Sequence, residues 1–403
     1  MTGEQSEFEA EAFAKSKIEE IAQRLGSERA IIAISGGVDS TTCAALAYKA
    51  VGKNLLCVFI DTGFMRLDEP QKVRASISKR PLALPVRKVR AQERFLEAIG
   101  ESDDAEEKRK AFREMFYETL GEIAKEEDCH FLIQGTIAPD WIETKGGIKT
   151  QHNVLEQIGI NPEEKYGFTV IEPIASLYKD QVRVLARYLE IPHEISERQP
   201  FPGPGLLVRC VGRVEPSKLK TLKRSTQIVE RHLAAIGGQQ FFAAILDNKI
   251  EDHPAREPLQ KQVSESLKLP SGEVKVNILW NKATGVKGDM RVYGRIASVG
   301  VSKEQREIYG WLIEKLRELQ SKLISSNPEF TRILYTVKEG KENAPYDVAI
   351  RAIETRDFMT ADIVTVPWTT LTAISREILN ECPNVAHVYY DLTSKPPATI
   401  EFE

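Results

Sequence analysis

The stretch Ser35-Gly36-Gly37-Val38-Asp39-Ser40-Thr41 stands between the apolar run Ile31–Ile34 and the segment STTCAALAYKAV, whose composition suits a buried helix. Two adjacent glycines let backbone N–H groups approach an anion without interference from a Cβ. Ser35, Ser40 and Thr41 add hydroxyl donors. The helix that follows offers its unpaired first-turn N–H groups and the positive end of its dipole to the same spot. Together these make a cradle for phosphates. Asp39 is out of place beside phosphate unless a cation such as Mg²⁺ bridges carboxylate and phosphate oxygens. The loop is not a Walker A motif, since no Gly-Lys-Ser/Thr follows the glycines.

Positioning such a loop needs a buried strand before it and neighbours on both sides. Near-continuous apolar runs at Ile31–Ile34, Leu55–Ile60, Phe131–Ile133 and Val170–Ile174 read as strands covered on both faces. Between them, Phe112, Phe116, Leu120 and Ile123 share one helical face, as do Val182, Leu185, Ala186 and Leu189. The alternation predicts an α/β domain with a parallel sheet. It breaks at RQPFPGPGLLVR (198–209), where three prolines and two glycines fall between 200 and 205 and exclude a helix or a central strand. We place a boundary there, giving domains 1–209 and 210–403. The second reads as a smaller α+β domain: a helix over about 215–236 marked by Leu219, Leu222, Val229, Leu233 and Ile236, the alternating strand VKVNIL, and a long helix over about 303–324. RILYTV, YDVAIRAI, a helix around Leu371–Leu379 and VAHVYYD follow.

Bulk properties narrow the function classes. The 403 residues hold 55 basic and 59 acidic side chains, a net charge of -4, so no global basic field argues for nucleic acid. Lys108-Arg109-Lys110 remains a candidate local anion site. The polar, acidic N-terminus is no signal peptide, and no run of about 18 apolar residues predicts a membrane span. Five cysteines stand far apart without a Cys-x-x-Cys pair. They suit a reducing cytoplasm and disfavour structural zinc.

Ser-Gly-Gly-Val-Asp-Ser resembles the pyrophosphate loop of N-type ATP pyrophosphatases, of the adenine nucleotide alpha hydrolase-like fold. Four further stretches resemble GMP synthetases within that superfamily. CVFIDTGFMRLDEP (57–70) is similar to their adenosine-side loop and brings in Asp61, which alone reads as a turn residue. DDAEEKRKAF (103–112) is similar to a segment whose arginine binds xanthosine 5'-monophosphate (XMP), a role that falls to Arg109; alone it reads as a solvated helix face. QGTIAPDWIETKGG with IKTQHNV (134–154) places Asp140 and Glu143 where they could contact Mg²⁺ or substrate, or merely cap and solvate a helix. The same region is similar to the family's mobile lid at Lys149, His152 and Asn153. YYDLTSKPPATIEFE (389–403) is similar to the family's ending, which assigns Lys395 and Glu401 to XMP. GVKGDMRVYG adds Asp289 by the same resemblance. PFPGPGL and RAIETRDFMTAD are also similar to the family.

The resemblance implies ATP-dependent amination of XMP to GMP through adenylyl-XMP, with AMP and pyrophosphate released, by a carbon–nitrogen ligase of purine biosynthesis. ATP is the substrate held by Ser35–Thr41 and Asp61, with Mg²⁺ on Asp39. Only some thirty residues precede the first strand, too few for the glutaminase domain many relatives carry. We therefore expect ammonia from a separate glutaminase subunit. The second domain resembles the family's dimerisation module, which implies a homodimer. The lid departs from the pattern: Gln151 stands where many relatives have histidine, and the usual Gly-Gly-Leu-Pro gives way to LEQIGINPEEKYGF. The region 247–345 is longer than the compact family domain and reads as carrying insertions. The competing readings are another adenylating amidotransferase, of the NAD synthetase kind, and a nucleotide-binding regulator without turnover.

Overall fold

The computed structural model describes residues 8–140, 161–288, 290–302, 309–355 and 359–403. The chain forms two compact units, Met1–Ala98 with Ala111–Gly203 and Ile99–Lys110 with Pro204–Glu403. The break falls within the expected proline–glycine stretch, but the second unit also takes up residues 99–110. The physical reason is a buried cation: the Lys108 ammonium donates to the carbonyls of Cys210 (3.0 Å) and Gly212 (2.6 Å) and pairs with Glu403. A linear reading has no means of lifting that segment out of its surroundings. With it, the second unit becomes the larger of the two.

In the first unit the chain runs α1 (Ala10–Leu25), β1 (Arg29–Ala33), α2 (Val38–Val51), β2 (Leu55–Asp61), α3 (Glu69–Ile77), β3 (Val86–Arg90), α4 (Gln92–Ile99), α5 (Ala105–Glu126, whose start belongs to the second unit), β4 (Cys129–Ile133), α6 (Pro162–Tyr166), β5 (Thr169–Ile171), α7 (Lys179–Tyr188) and α8 (His193–Ser196). All strand pairs are parallel, in the order β3-β2-β1-β4-β5. Burial on both faces explains the apolar runs: Ile31, Ile32, Cys57, Val58 and Phe59 are at most 1% exposed. Each such aliphatic or aromatic side chain contributes roughly 1.5–3 kcal/mol. Strand β3, VRKVR, escapes an apolar-run reading because none of its side chains is fully buried and three of the five are charged; at a sheet edge such charges discourage further pairing. Strand β5 stops at Ile171, short of the expected Ile174, with Pro173 unable to donate to a ladder. Helix α2 is buried from Thr41 through Ala47, which its small residues permit.

The second unit comprises α9 (Pro216–Leu233), β6 (Gln240–Asp247), β7 (Ile250–Glu251), α10 (Arg256–Leu267), β8 (Val274–Lys287), β9 (Met290–Val301), α11 (Tyr309–Ser326), β10 (Phe330–Glu339), β11 (Tyr346–Glu354), β12 (Asp362–Ile363), α12 (Trp368–Glu381) and β13 (Val385–Asp391). Its sheet runs β12-β11-β13-β10-β9-β8-β7, with β6 paired to β11. The stretch 247–345 supplies β8, β9 and β10 to the interior of this sheet and β7 to its edge. Ile236 lies beyond the end of α9 and is half-buried.

Residues 392–403 are clamped onto this sheet. Arg332, Arg351 and Asp391 are wholly buried, and both guanidiniums reach Asp391 Oδ2 at 2.6 Å. Two cations against one carboxylate leave positive charge over, and main-chain carbonyls absorb it: Arg351 donates to Thr393 O (2.9 Å) and Thr399 O (3.0 Å), Arg332 to Thr399 O (2.9 Å). Burial by itself would raise the Asp391 carboxyl; the two guanidiniums outweigh it and hold the group below the ordinary range. A folded value lower than the unfolded one means this stabilisation is complete above about pH 4 and is lost as pH falls through the folded value. Asp391→Asn should cost about 3–5 kcal/mol at neutral pH by leaving two buried guanidiniums short of an anion. Urea unfolding of variant and parent should converge in acid; parallel curves down to the acid limit would remove Asp391 from this role.

Candidate active site

Strands β1 and β4 are sheet neighbours whose connections leave in opposite directions, which makes the crevice at their carboxyl ends the topological switch point. The double-glycine loop leaves β1 there. Gly36 has φ +81°, and a Cβ on it would overlap Val73 Cγ2 of α3. The position needs glycine on both counts. Gly37 is the N-cap of α2 and brings no capping side chain, so the N–H groups of Val38, Asp39 and Ser40 have no intrahelical acceptor. From β4, Gly135 comes so close that its Cβ would stand 3.0 Å from Ser40 N and 3.1 Å from Asp39 C.

The hydroxyls mostly shape the loop. Thr41 donates to Gly37 O (2.8 Å), Ser40 donates to Gly37 O (3.2 Å) and lies 3.1 Å from Ser35 Oγ, and Gly37 N donates to Ser35 Oγ (3.3 Å). Asp39 is engaged by a residue that spacing does not single out: Lys179 Nζ reaches Oδ1 at 2.9 Å and Oδ2 at 2.6 Å. Lys179 opens α7, whose first turn is held by Gln181 accepting from Tyr178 N (2.9 Å). A cation at a helix N-terminus opposes the dipole by about 0.3–1 kcal/mol, so the nearby anion keeps it there. Glu172, just past β5, is the second carboxylate of this crevice; it accepts from Thr136 (2.5 Å) and Gln134 (3.3 Å). Burial, followed by the negative charges of Asp39 and Glu172, pushes the Cys43 thiol well up.

Asp61 ends β2 facing inward. Lys88 pairs with it at 2.9 Å, and Gly63 N donates to Oδ1 at 3.3 Å. Burial would raise its carboxyl, but the bonds from Lys88 and Gln92, the Lys88 charge and the Gly63 amide bring it below the usual range. Asp140 accepts from Ile137 N (3.0 Å) within its own turn. Glu143, Lys149, His152, Asn153 and Asp289 lie outside the described residues.

In the second unit, Arg109 meets Glu106 at 3.1 Å, and Glu106 also accepts from Arg291 (2.7 Å) and Tyr293 (2.8 Å). Burial and then the Arg291 charge push the Arg109 guanidinium down, against the pull of Glu106. Two guanidiniums sharing one carboxylate form an anion-seeking pair. Residues 397–402 run beside the β8–β9 hairpin that carries Arg291: Val286 N donates to Pro397 O (2.7 Å) and Thr284 N to Phe402 O (2.8 Å). The Lys395 backbone is fixed to Ala361 in both directions, at 2.7 and 2.9 Å. Glu401 is gripped at both oxygens by the buried Arg209 (2.8 and 3.0 Å) and by Gln240 (3.0 Å). Arg209 lies in turn over the Phe242 ring, 3.9 Å from its centroid. Lys179, Glu172, Arg291 and Arg209 are the residues a linear reading passes over. Only Lys179, a cation at a helix start, leaves a trace in the sequence.

A parallel strand, a double-glycine bend and an uncapped helix at a switch point define a phosphate-cradling protein of the PP-loop class. Residues 10–194 match the PP-loop domain family, and residues 334–402 match the GMP synthase C terminal domain family. The chain is 45% identical over 375 residues to a subunit of GMP synthase (glutamine-hydrolyzing) from Sulfurisphaera tokodaii, covering 93% of this chain and 94% of that protein. It is 45% identical to the same subunit from Saccharolobus solfataricus, and 40% to that from Methanopyrus kandleri, each over 98% of this chain and 100% of theirs. The chain belongs to this family of GMP synthase subunits. Among solved structures it is similar to NMN synthetase from Francisella tularensis, at 18% identity over 49% of this chain and 78% of that one, with a TM-score of 0.39.

Proposed function

We propose that this protein aminates XMP to GMP at the expense of ATP, using ammonia released by a separate glutamine-hydrolysing subunit. The observation that carries this reading is the set of open amides at Val38–Ser40 behind the Gly36-Gly37 bend, in a chain of the GMP synthase family. The oxygen on C2 of XMP attacks the α-phosphorus of ATP; the bond to the bridging oxygen breaks and pyrophosphate leaves with the electron pair. Ammonia then adds at C2 and AMP departs, while the surplus protons pass to solvent. Adenylylation is needed because an oxide leaves poorly and AMP leaves well. The loop amides stabilise charge gathering on pyrophosphate.

Among the described residues, no three His, Cys, Asp or Glu side chains gather as a self-sufficient metal site. One carboxylate, Asp39, beside a phosphate cradle suits Mg²⁺, which takes few protein ligands and completes its shell with phosphate oxygens and water. When bound there, the metal would screen the charge of the outer phosphates.

In this reading Arg109 and Arg291 hold the XMP phosphate, exchanging Glu106 for it, and Arg209 presents Glu401 to the nucleotide beside Lys395. Asp289 belongs with them by resemblance. By resemblance, Lys149, His152 and Asn153 are assigned to the family's lid, and Asp140 and Glu143 to contact with Mg²⁺ or substrate. Asp61 orders the loop on the adenosine side. All five cysteines are buried and unpaired, as suits the cytoplasm. No described helix is long and apolar enough to cross a membrane. We place a homodimer contact on the second unit, where Ile250 and Trp280 stand about half exposed on adjoining strands.

The test supplies ATP, XMP, Mg²⁺ and ammonium, and follows GMP, AMP and pyrophosphate. Consumption of deamido-NAD in place of XMP would transfer the protein to the NAD synthetase kind. XMP binding without pyrophosphate release would make it a regulator. Arg109→Lys keeps the charge but loses the two-pronged donor. It should raise KM for XMP roughly tenfold or more, equivalent to about 1.4 kcal/mol, with KM for ATP unchanged. An unaltered XMP dependence would take Arg109 out of the site.

A further inference from the structure

One corner of the first unit carries charge that the chemistry above does not use. The outer face of α3 and one face of edge strand β3 enclose an open groove of about 520 Å³, lined by Gln71, Arg74, Ser78, Lys79, Lys88 and Arg90. Lys88 is committed to Asp61. Arg74, Lys79 and Arg90 have no ion-pair partner among the described residues, and all three are exposed. Several other cations of this unit are neutralised, though Arg24, Lys49, Lys72 and Arg80 also have no ion-pair partner among the described residues. Arg87, on the opposite face of the same strand, meets Glu127 at 2.7 Å and Glu126 at 3.3 Å. Arg94 holds both oxygens of Glu122, at 2.7 and 2.9 Å. With 59 acidic side chains against 55 basic ones, counter-ions are not scarce. The groove is a place left positive.

The elements that line it also touch both candidate ATP loops. The inner face of α3 presses Val73 against Gly36, and Lys88 anchors Asp61 at the end of β2. An occupant that shifted α3 or drew on Lys88 would act on the nucleotide loop directly.

We infer that this groove docks an acidic segment of the glutamine-hydrolysing subunit; the inference rests on the two-subunit reading above. A protein partner fits better than nucleic acid, because a chain of net charge -4 has no broad basic field to hold a polyanion beyond such a local patch. It fits better than a small anion, because the three free cations lie in the open and not in a buried polar pocket. An acidic segment of matching size needs only a local complement, and exposed pairs of this kind chiefly speed and steer association.

The experiment uses the triple variant Arg74→Glu, Lys79→Glu, Arg90→Glu, with the corresponding triple glutamine variant as a graded control. Purified glutaminase subunit from the same organism is the probe, in calorimetry and in paired assays driven by glutamine or by ammonium. We expect the glutamate variant to bind the glutaminase at least tenfold more weakly and to lose glutamine-driven GMP formation in proportion. The ammonium-driven rate should stay within twofold and the melting temperature should not move, with the glutamine variant falling between. Unchanged binding by the glutamate variant overturns the docking site. An equal loss of the ammonium-driven rate overturns it too, by assigning the groove to the nucleotide loops themselves. Binding of an RNA oligomer, abolished by the same changes, gives the groove to a different partner. If the unaltered protein never associates with the glutaminase, even during turnover with ATP and XMP, the two-subunit reading itself fails.

Discussion

Replacing Lys179 by alanine is expected to slow adenylylation of XMP by about 10²–10³-fold, the loss typical of removing one preorganised donor at developing charge. Lys179 is held bidentate by Asp39, at 2.9 and 2.6 Å, beside the open amides of α2. Its place at the start of α7 works against the helix dipole, so folding alone does not account for it. In the proposed reading Asp39 would hold magnesium when triphosphate is bound, and Lys179 would turn to the phosphates as a cation beside the departing pyrophosphate. Both side chains are about one-third exposed, so the ion pair contributes little to stability, and the melting temperature should hardly change. The measurement is XMP-dependent exchange of labelled pyrophosphate into ATP, alongside single-turnover formation of AMP. A rate within threefold of the parent would make Lys179 a bystander. Lys179→Arg is expected to recover only part of the rate, because a fork replaces a compact charge.

The second large effect is a contrast between neighbouring glycines. Gly36→Ala asks an L-residue to hold φ +81° and places its methyl group in Val73 Cγ2. Left-handed backbone costs about 1–2 kcal/mol and forced packing about 1–3 kcal/mol. A loss of about 2–5 kcal/mol corresponds to a fall of roughly 5–20 °C in melting temperature, and ATP-dependent activity should fall below a hundredth as the amides turn away. Gly37→Ala meets nothing nearer than Ser35 Oγ at 3.4 Å and keeps an ordinary extended conformation. It should melt with the parent, yet bind ATP at least tenfold more weakly if backbone must approach phosphate at that point. Differential scanning calorimetry and equilibrium ATP binding separate the two. If Gly36→Ala melts and turns over like the parent, the loop is not the strained cradle described here.

Much of the first unit is legible in the chain because local physics encodes it. Four of its five strands appear as apolar runs, since two-sided burial demands them, and the faces of α5 and α7 appear as helical periodicity. Strand β3 does not appear, because none of its side chains is fully buried and that demand does not reach it. The second unit is less legible. Asn277 interrupts the alternation of VKVNIL by being buried where a polar residue should be exposed. That residues 392–403 are clamped by Arg332, Arg351 and Asp391, each from a different strand, is not legible in the chain.

The sequence by itself determined the kind of chemistry, because a phosphate cradle is made of consecutive residues: a strand end, two glycines and a helix start need no distant partner. Tertiary structure decided which side chains attend that chemistry. Lys179 meets Asp39 across 140 positions, Arg291 meets Glu106 across 185, and Arg209 meets Glu401 across 192. Periodicity tells which face of an element is apolar and therefore buried. It carries no term for which polar groups converge once those faces have packed, because that depends on sheet order and on chain crossings set by the whole core.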